Sequence, residues 1–272
     1  MSFVAVCMKW VPGRPEIDPL SGQVQTPANR FGGISLADQS ALEVGLQLGT
    51  RRSLDVVAIT VGGTRCEQSL RDALAAGARR AIRIDAAGPL SSAETARVLA
   101  LSLDHASIIV CGDYSFDRGS GSVPAFLAAE LGISQALGVV SLTAQVHDLL
   151  VTRRLDGGRR EHLRIGDRAV ISVEGSVAQL RRATLANTLA IRNNEIEVIS
   201  PPLTIERPVS TSKPFRPRPR TLAMPHGNST LERLNSITNV ATTSTRGEQI
   251  ELDPQESAAY ILQTLTHWGY IE

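Results

Sequence analysis

Residues 54–85, LDVVAITVGGTRCEQSLRDALAAGARRAIRID, decide the fold. Leu54–Val61 is an aliphatic, β-branched run of strand length. Thr64–Ala76 spaces its apolar residues as one helix face does, and Arg80–Asp85 is a second short strand-like run. Gly62-Gly63-Thr64 supplies a strand-to-helix turn, and Gly77 stands where a helix closes on a left-handed glycine. Strand, helix and strand within so few residues predict a βαβ unit, whose two strands run parallel through a right-handed crossover.

The same alternation extends both ways. Upstream, Phe3–Met8 is a strand and Ser35–Leu48 a helix, with Ser35 three residues before Asp38 as in a capping box. Downstream come a helix over Ser91–Asp104, opened by Ser91-Ser92 ahead of Glu94, then a strand over Ser107–Cys111 and a helix over Ser120–Leu131. The expected class is α/β, a parallel-sheet, Rossmann-like domain. Beyond residue 138 the pattern becomes strands at Val139–Val146, Leu149–Arg154, Glu161–Ile165 and Ala169–Val173. Asp156-Gly157-Gly158 forms a hairpin turn among them, and a short Arg-rich helical segment covers Arg181–Ile191. Ser200–Pro225 is proline-rich and predicts an extended arm. Asp253 then caps a helix from Pro254 to His267, with Ala258, Ile261, Leu262 and Leu265 on one face. The expected division is an α/β domain over 1–200 and an arm plus helix over 201–272, the helix packing on its own core or on a partner.

Composition narrows the function. A chain of 272 residues that is 42% hydrophobic can bury a large core, and its net charge of +1 creates no general field for nucleic acid. The basic run at Arg216, Arg218 and Arg220 is too short to change that reading. No apolar stretch is long enough to span a membrane, and the N-terminus lacks a basic and apolar leader pattern. Three cysteines, Cys7, Cys66 and Cys111, without metal-like or redox spacing, fit a reducing cytoplasm. Cys7 and Cys111 could lie close together if their strands are neighbours, and free buried cysteines are common and usually inert. The five histidines (His105, His147, His162, His226 and His267) are scattered, and no HExxH, GxSxG or CxxC occurs. These absences argue against hydrolysis and metal chemistry.

In an open parallel sheet, ligands bind beyond the carboxyl ends of the strands. Three loops qualify: Lys9–Gly13, Thr60–Thr64 and, above all, Gly112–Val123, which reads GDYSFDRGSGSV. Its glycines permit close backbone approach to a phosphate, and its serines and a following helix N-terminus donate hydrogen bonds. Arg118 could pair with a phosphate and Asp117 accept from a ribose or an adenine amine. The spacing matches neither a P-loop nor the Rossmann fingerprint, so a plain flexible connection remains the alternative.

Several of these stretches, in order, are similar to the electron transfer flavoprotein β subunit family. Val4–Pro12, VAVCMKWVP, resembles that family's opening strand and Lys-x-Val-Pro turn. Ala41-Leu42-Glu43, Val61-Gly62-Gly63, Leu70-Arg71, Ala73–Ala78 and Arg80-Ala81 resemble its first helix and second strand–helix unit. Arg154–Gly158 resembles its Asp-Gly-Gly hairpin, and Ala183–Asn187 its Ala-Thr-Leu-Pro-Asn loop.

The resemblance implies a heterodimer with an α subunit that holds most of a redox-active FAD. The β chain would carry an adenine-nucleotide site for AMP, or a second FAD in bifurcating members. Carried over, that site comprises Cys7, Lys9, Ser35, Leu36, Ala37, Asp38, Val61, Gly62 and Gly112. It continues through Ser115, Asp117, Arg118, Gly119, Ser120, Gly121, Ser122 and Val123. Thr184, Leu185 and Asn187 would form the loop that meets a donor dehydrogenase, and a quinone oxidoreductase or other acceptor would take the electrons on. The arm and C-terminal helix would wrap the α subunit. On this reading the chain is an electron carrier subunit without catalytic residues.

There are departures. The nucleotide loop keeps Asp117 but lacks the family's Gln-rich strings, the first helix begins Ser35–Gln39 rather than Asn-Pro-aromatic, and Gly13-Arg14 replaces an Asp followed by an aromatic. They imply a divergent member whose donor differs from a standard acyl-CoA dehydrogenase. A nucleotide sensor of the universal-stress-protein type is the other reading. The Asp-Gly-Gly hairpin and the Leu185 loop oppose it, because such a domain would end near residue 140.

Overall fold

A computed structural model describes residues 2–13, 16–17, 24–25, 32–86, 90–145, 148–201, 225, 227–238, 250–268 and 270. The chain separates into two compact units, Met1–Arg207 and Pro208–Glu272.

In the first unit, β1 (Phe3–Cys7), β2 (Trp10–Val11), β3 (Glu16–Ile17), β4 (Val24–Gln25) and β5 (Gly33–Ile34) precede α1 (Leu36–Arg52). Next come β6 (Asp55–Val61), α2 (Glu67–Ala76), β7 (Arg80–Ile84), α3 (Ser92–Ala100), β8 (Ala106–Gly112) and α4 (Val123–Leu131). The unit ends with β9 (Ser134–Ala144), β10 (Leu149–Arg154), β11 (Arg160–Ile165), β12 (Ala169–Val173), α5 (Leu185–Ile191) and β13 (Glu197–Ile199). Nine strands form the main sheet in the order β11-β10-β9-β12-β8-β1-β6-β7-β13. Every neighbouring pair is parallel except β9–β10 and β10–β11, the added hairpin around the Asp-Gly-Gly turn. The architecture is the α/β parallel sheet that the alternation predicts.

β1 lies inside the sheet between β8 and β6, with both its faces covered. Val4 and Val6 point to the side packed by α1 and α2, and Ala5 and Cys7 to the side packed by α3 and α4. Burying valines such as Val4 and Val6 contributes about 1.5–3 kcal/mol each. α1 lies directly on this strand. A Cβ on Gly45 would fall 2.3 Å from a Val6 methyl carbon, so only glycine allows that approach.

From β1 the chain steps one way to β6 and β7 and then returns to place β8 on the other side of β1. The helices therefore leave β1 and β8 toward opposite faces. This reversal opens a crevice at the carboxyl ends of those two strands.

Several details differ from the sequence expectation, among them a helix over Thr230–Thr238 and the two-residue strands β2 to β5, which the sequence pattern does not announce. β9 begins at Ser134, five residues before the Val139 start read from the pattern. Its Gly138 has φ +67° and donates its N–H to Ser172 Oγ at 3.0 Å, an irregularity that hides the strand behind a turn-like residue. The helix read over Arg181–Ile191 starts at Leu185, because Thr184 caps it by accepting the N–H of Asn187 at 3.1 Å. β13 has no counterpart in the sequence pattern, because three residues on a sheet edge leave no periodic signal.

The second unit contains α6 (Thr230–Thr238) and α7 (Pro254–His267). Asp253 caps α7 as its position predicts, accepting the N–H groups of Gln255 and Glu256 at 2.9 Å each. Ile261 and Leu262 of α7 are exposed. Most of the proline-rich arm, with Arg216, Arg218 and Arg220, lies outside the described residues, as does Arg14. Among the described residues no helix is long and apolar enough to cross a membrane.

Candidate functional site

The crevice between β1 and β8 is a cleft of about 230 Å³. Four connections close it: those following β1, β6, β7 and β8, each at a strand's carboxyl end. Cys7, Met8 and Lys9 come from the first, Val61 and Gly62 from the second, and Ala86, Leu90 and Ser92 from the third. The fourth supplies the wall from Cys111 and Gly112 to Pro124.

Two loops are locked together by polar contacts. Asp38, three residues into α1 from its Ser35 cap, is buried and accepts the Lys9 N–H at 3.2 Å. Ser35 Oγ accepts the Asp38 N–H at 3.0 Å and donates to the Tyr114 carbonyl at 3.1 Å, which fastens the β8 loop to the start of α1. Burial pushes the Asp38 carboxyl up to about 6, against the N–H of Lys9, the Ser35 cap and the N–H of Gly112, which favour its ionised form.

At the mouth, Lys9 Nζ lies 2.7 and 2.6 Å from the two oxygens of Asp117. Burial would raise the Asp117 carboxyl. The Lys9 ammonium, the Ser115 hydroxyl and the Arg118 N–H outweigh it and hold the group at about 2. Arg118 Nη1 donates to the Leu90 carbonyl at 2.9 Å, tying this loop to the one before α3.

Glycine is required where the loops pass closest. A Cβ on Gly112 would sit 2.7 Å from Asp38 Oδ1 and 2.8 Å from its amide nitrogen. Gly121 has φ +57°, and a Cβ there would lie 2.1 Å from the Asp113 carbonyl oxygen.

Of the cleft residues expected from the sequence, Cys7, Lys9, Asp38, Val61, Gly62, Gly112, Ser115, Asp117, Arg118, Ser120, Gly121, Ser122 and Val123 all line one space. Four do not. Ser35 and Ala37 are buried behind it, the Leu36 side chain is exposed, and Gly119 serves the turn with φ +63°. Sequence reasoning missed the connection after β7 and the start of α3. Leu90, Ser92 and Thr95 face the cleft there, and Leu99 forms part of its wall. The rule that picked the other three loops applied equally to the one after Arg80–Asp85. The Ser91 cap, with its complete capping box to Glu94, was its visible signal.

The lining divides by chemistry. Met8, Val61, Leu90 and Leu99 offer apolar walls for a flat ring. Ser92, Ser115, Ser120, Ser122, Lys9 and Arg118 offer donors or positive charge, and α4 begins with no side-chain cap on its N–H groups. An uncapped helix start beside small residues accommodates an anion. Apolar walls on one side and hydroxyls, cations and a helix start on the other suit a ligand with a flat face and an anionic end. Among the described residues no cluster of His, Cys, Asp and Glu could hold a metal ion. Cys7 and Cys111 are register partners on β1 and β8. The hydrogen bond between them, then burial, pushes the Cys111 thiol well above its usual range.

A second feature lies apart from the cleft. α5 has no buried residue, and Leu185 and Leu189 are 73% and 59% exposed. Thr184, Leu185 and Asn187 thus sit on a short surface helix, not in the core.

A family model described as the electron transfer flavoprotein domain matches residues 28–203. An electron transfer flavoprotein subunit beta of Bradyrhizobium diazoefficiens is 28% identical over 162 residues, covering 58% of this chain and 65% of that protein. Its Homo sapiens counterpart is 29% identical over 168 residues, covering 59% and 66%. A relative from Oryza sativa subsp. indica, named as the mitochondrial subunit beta, is 30% identical over 153 residues, covering 54% and 60%. The matched part of the chain thus spans just under two thirds of the length of these relatives.

Proposed function

From the premise that the chain belongs to the electron transfer flavoprotein family, matched over residues 28–203, we propose that it is the β-type subunit of a heterodimeric electron carrier. Its partner is an α-type subunit that holds most of an FAD. The flavin supplies the redox chemistry; this chain binds and orients. The cleft at the β1–β8 reversal carries the reading, because it combines an apolar wall, an uncapped helix start and hydroxyl donors.

The proposed occupant is AMP, or a second FAD if the complex bifurcates electrons. Ser120 and Ser122, whose hydroxyls lie 3.1 Å apart, would hold the phosphate with the start of α4. Lys9 would keep Asp117 oriented at the mouth, and Asp38 would fix the two loops from below. The exposed Leu185 would meet a donor dehydrogenase, and a quinone oxidoreductase or another acceptor would receive the electrons. The arm and α7, whose Ile261 and Leu262 are exposed, would pack on the α-type subunit. The chain then works as a carrier subunit and not as an enzyme with its own substrate. Its setting would be the reducing cytoplasm, which suits the free thiols of Cys7, Cys66 and Cys111.

The test is to capture the tagged chain from its host, denature the complex and identify the released nucleotides. One FAD with one AMP and a co-captured flavin-bearing chain are expected; two FAD would assign bifurcation. Absence of flavin and partner would overturn the carrier reading in favour of a nucleotide sensor.

A further inference from the structure

α1 carries two buried polar side chains that take no part in the cleft. Ser40 is fully buried and Glu43 is 6% exposed, both on the α1 face turned away from β1. What covers them is the strap of residues 174–184 between β12 and α5. Ser40 Oγ accepts the Ala178 N–H at 3.1 Å. Glu43 accepts from Arg181 three times: its backbone N–H at 3.1 Å, Nε at 2.9 Å and Nη2 at 2.8 Å. Gln47 Nε2 donates to the same carboxylate at 2.9 Å. A two-point guanidinium–carboxylate pair with a backbone bond added fixes direction as well as distance.

α5 needs such a fixture. A seven-residue helix is marginal alone, and this one buries no side chain. Its placement therefore depends on its ends and on a few polar ties. Downstream, Arg71 Nε donates to the Asn194 carbonyl at 3.3 Å, and within α5 itself Asn187 Nδ2 reaches the Ala75 carbonyl at 3.4 Å. Upstream, only three residues separate Arg181 from Leu185, and the half-buried Val177, Ala178 and Leu180 lead into that anchor.

We propose that the Glu43–Arg181 pair is a positioning device for α5, holding the strap on α1 so that Leu185 and Leu189 are presented in one orientation to an electron-donating partner. This rests on the reading of α5 as a docking element. Without the pair the strap is released, and the partner must order α5 as it binds, which lowers affinity without touching the redox step.

The test uses the full chain assembled with its flavin-bearing partner, as Arg181→Gln and Glu43→Gln. Two quantities are read: the rate of tryptic cleavage after Arg182, and KM against kcat for reduction of the complex. The donor is whichever purified dehydrogenase of the host reduces the unaltered complex fastest. Each variant is expected to speed cleavage and raise KM about tenfold with kcat unchanged, and Arg181→Lys is expected to restore part of both. Unchanged cleavage in Arg181→Gln would overturn the clamp. Faster cleavage with unchanged KM would overturn the positioning role if Leu185→Ala, run in parallel, does raise KM. An unchanged KM in Leu185→Ala, or reduction by no dehydrogenase, would remove the docking reading and this proposal with it. If Glu43→Gln does not fold, Arg181→Gln, on the exposed side of the pair, carries the test alone.

Discussion

Lys9 and Asp117, 108 residues apart in the chain, form an ion pair 2.6 Å long across the mouth of the cleft, joining the loop after β1 to the loop after β8. The side chains remain 44% and 38% exposed, so water and salt screen the pair and its stability contribution is at most about 1 kcal/mol. Its consequence is geometric. Lys9→Met should leave the melting temperature almost unchanged while freeing Asp117 to turn toward a bound phosphate. AMP affinity measured by calorimetry should fall several-fold. Affinity equal to that of the unaltered chain would show that the pair does not shape the site.

Asp38 gives the molecule a pH dependence with a definite sign. Its folded pKa of about 6 lies above the ordinary carboxylate value of about 3.9. The folded state therefore binds the proton more tightly than the unfolded one. The contribution is fully present below about pH 4 and is lost as pH rises through 6, about 3 kcal/mol in all. Asp38→Asn cannot ionise, so its stability relative to the unaltered chain should rise between pH 4 and 7. Denaturant titrations at several pH values check this, and a difference that is flat across that window would refute it.

Gly112→Ala should destabilise the first unit by about 1–3 kcal/mol, because the added methyl must displace Asp38 or the α1 backbone. Gly63→Ala is the matched control. Nothing lies within 4 Å of its Cβ position, so a thermal melt should barely move.

Leu185→Ala removes an exposed side chain and should change stability by less than about 0.5 kcal/mol. If the residue fills a pocket on a donor, the KM for that donor rises about tenfold or more while flavin content and assembly stay intact. Stopped-flow reduction of the assembled complex reads the effect, and an unchanged rate at limiting donor discards Leu185 as the contact.

Much of the site was legible because loop position in a parallel sheet is a local consequence of the strand–helix alternation. The glycines and serines of residues 112–123, Ser35 ahead of Asp38 and the double glycine at 62–63 each mark a strand end or helix start. The capping-box spacing places Asp38 three residues from the Ser35 cap, and there it stands. That its carboxylate meets the Lys9 N–H was not readable, since the two residues are joined only when β1 and α1 pack. The Arg118 contact to Leu90 was hidden for the same reason.

The sequence by itself determined the alternation of elements, the buried β1, the caps at Ser35, Ser91 and Asp253, and the Asp-Gly-Gly hairpin, all set by residues within a few positions of one another. Only the tertiary structure decided that β8 returns beside β1 to open the cleft, that β13 completes the far edge, and that Glu43 faces Arg181 across 138 residues. Periodicity and capping are short-range steric and hydrogen-bonding effects, written in neighbouring residues. Strand order and ion pairs between distant segments are long-range and follow from which surfaces exclude water together once the chain has closed on itself.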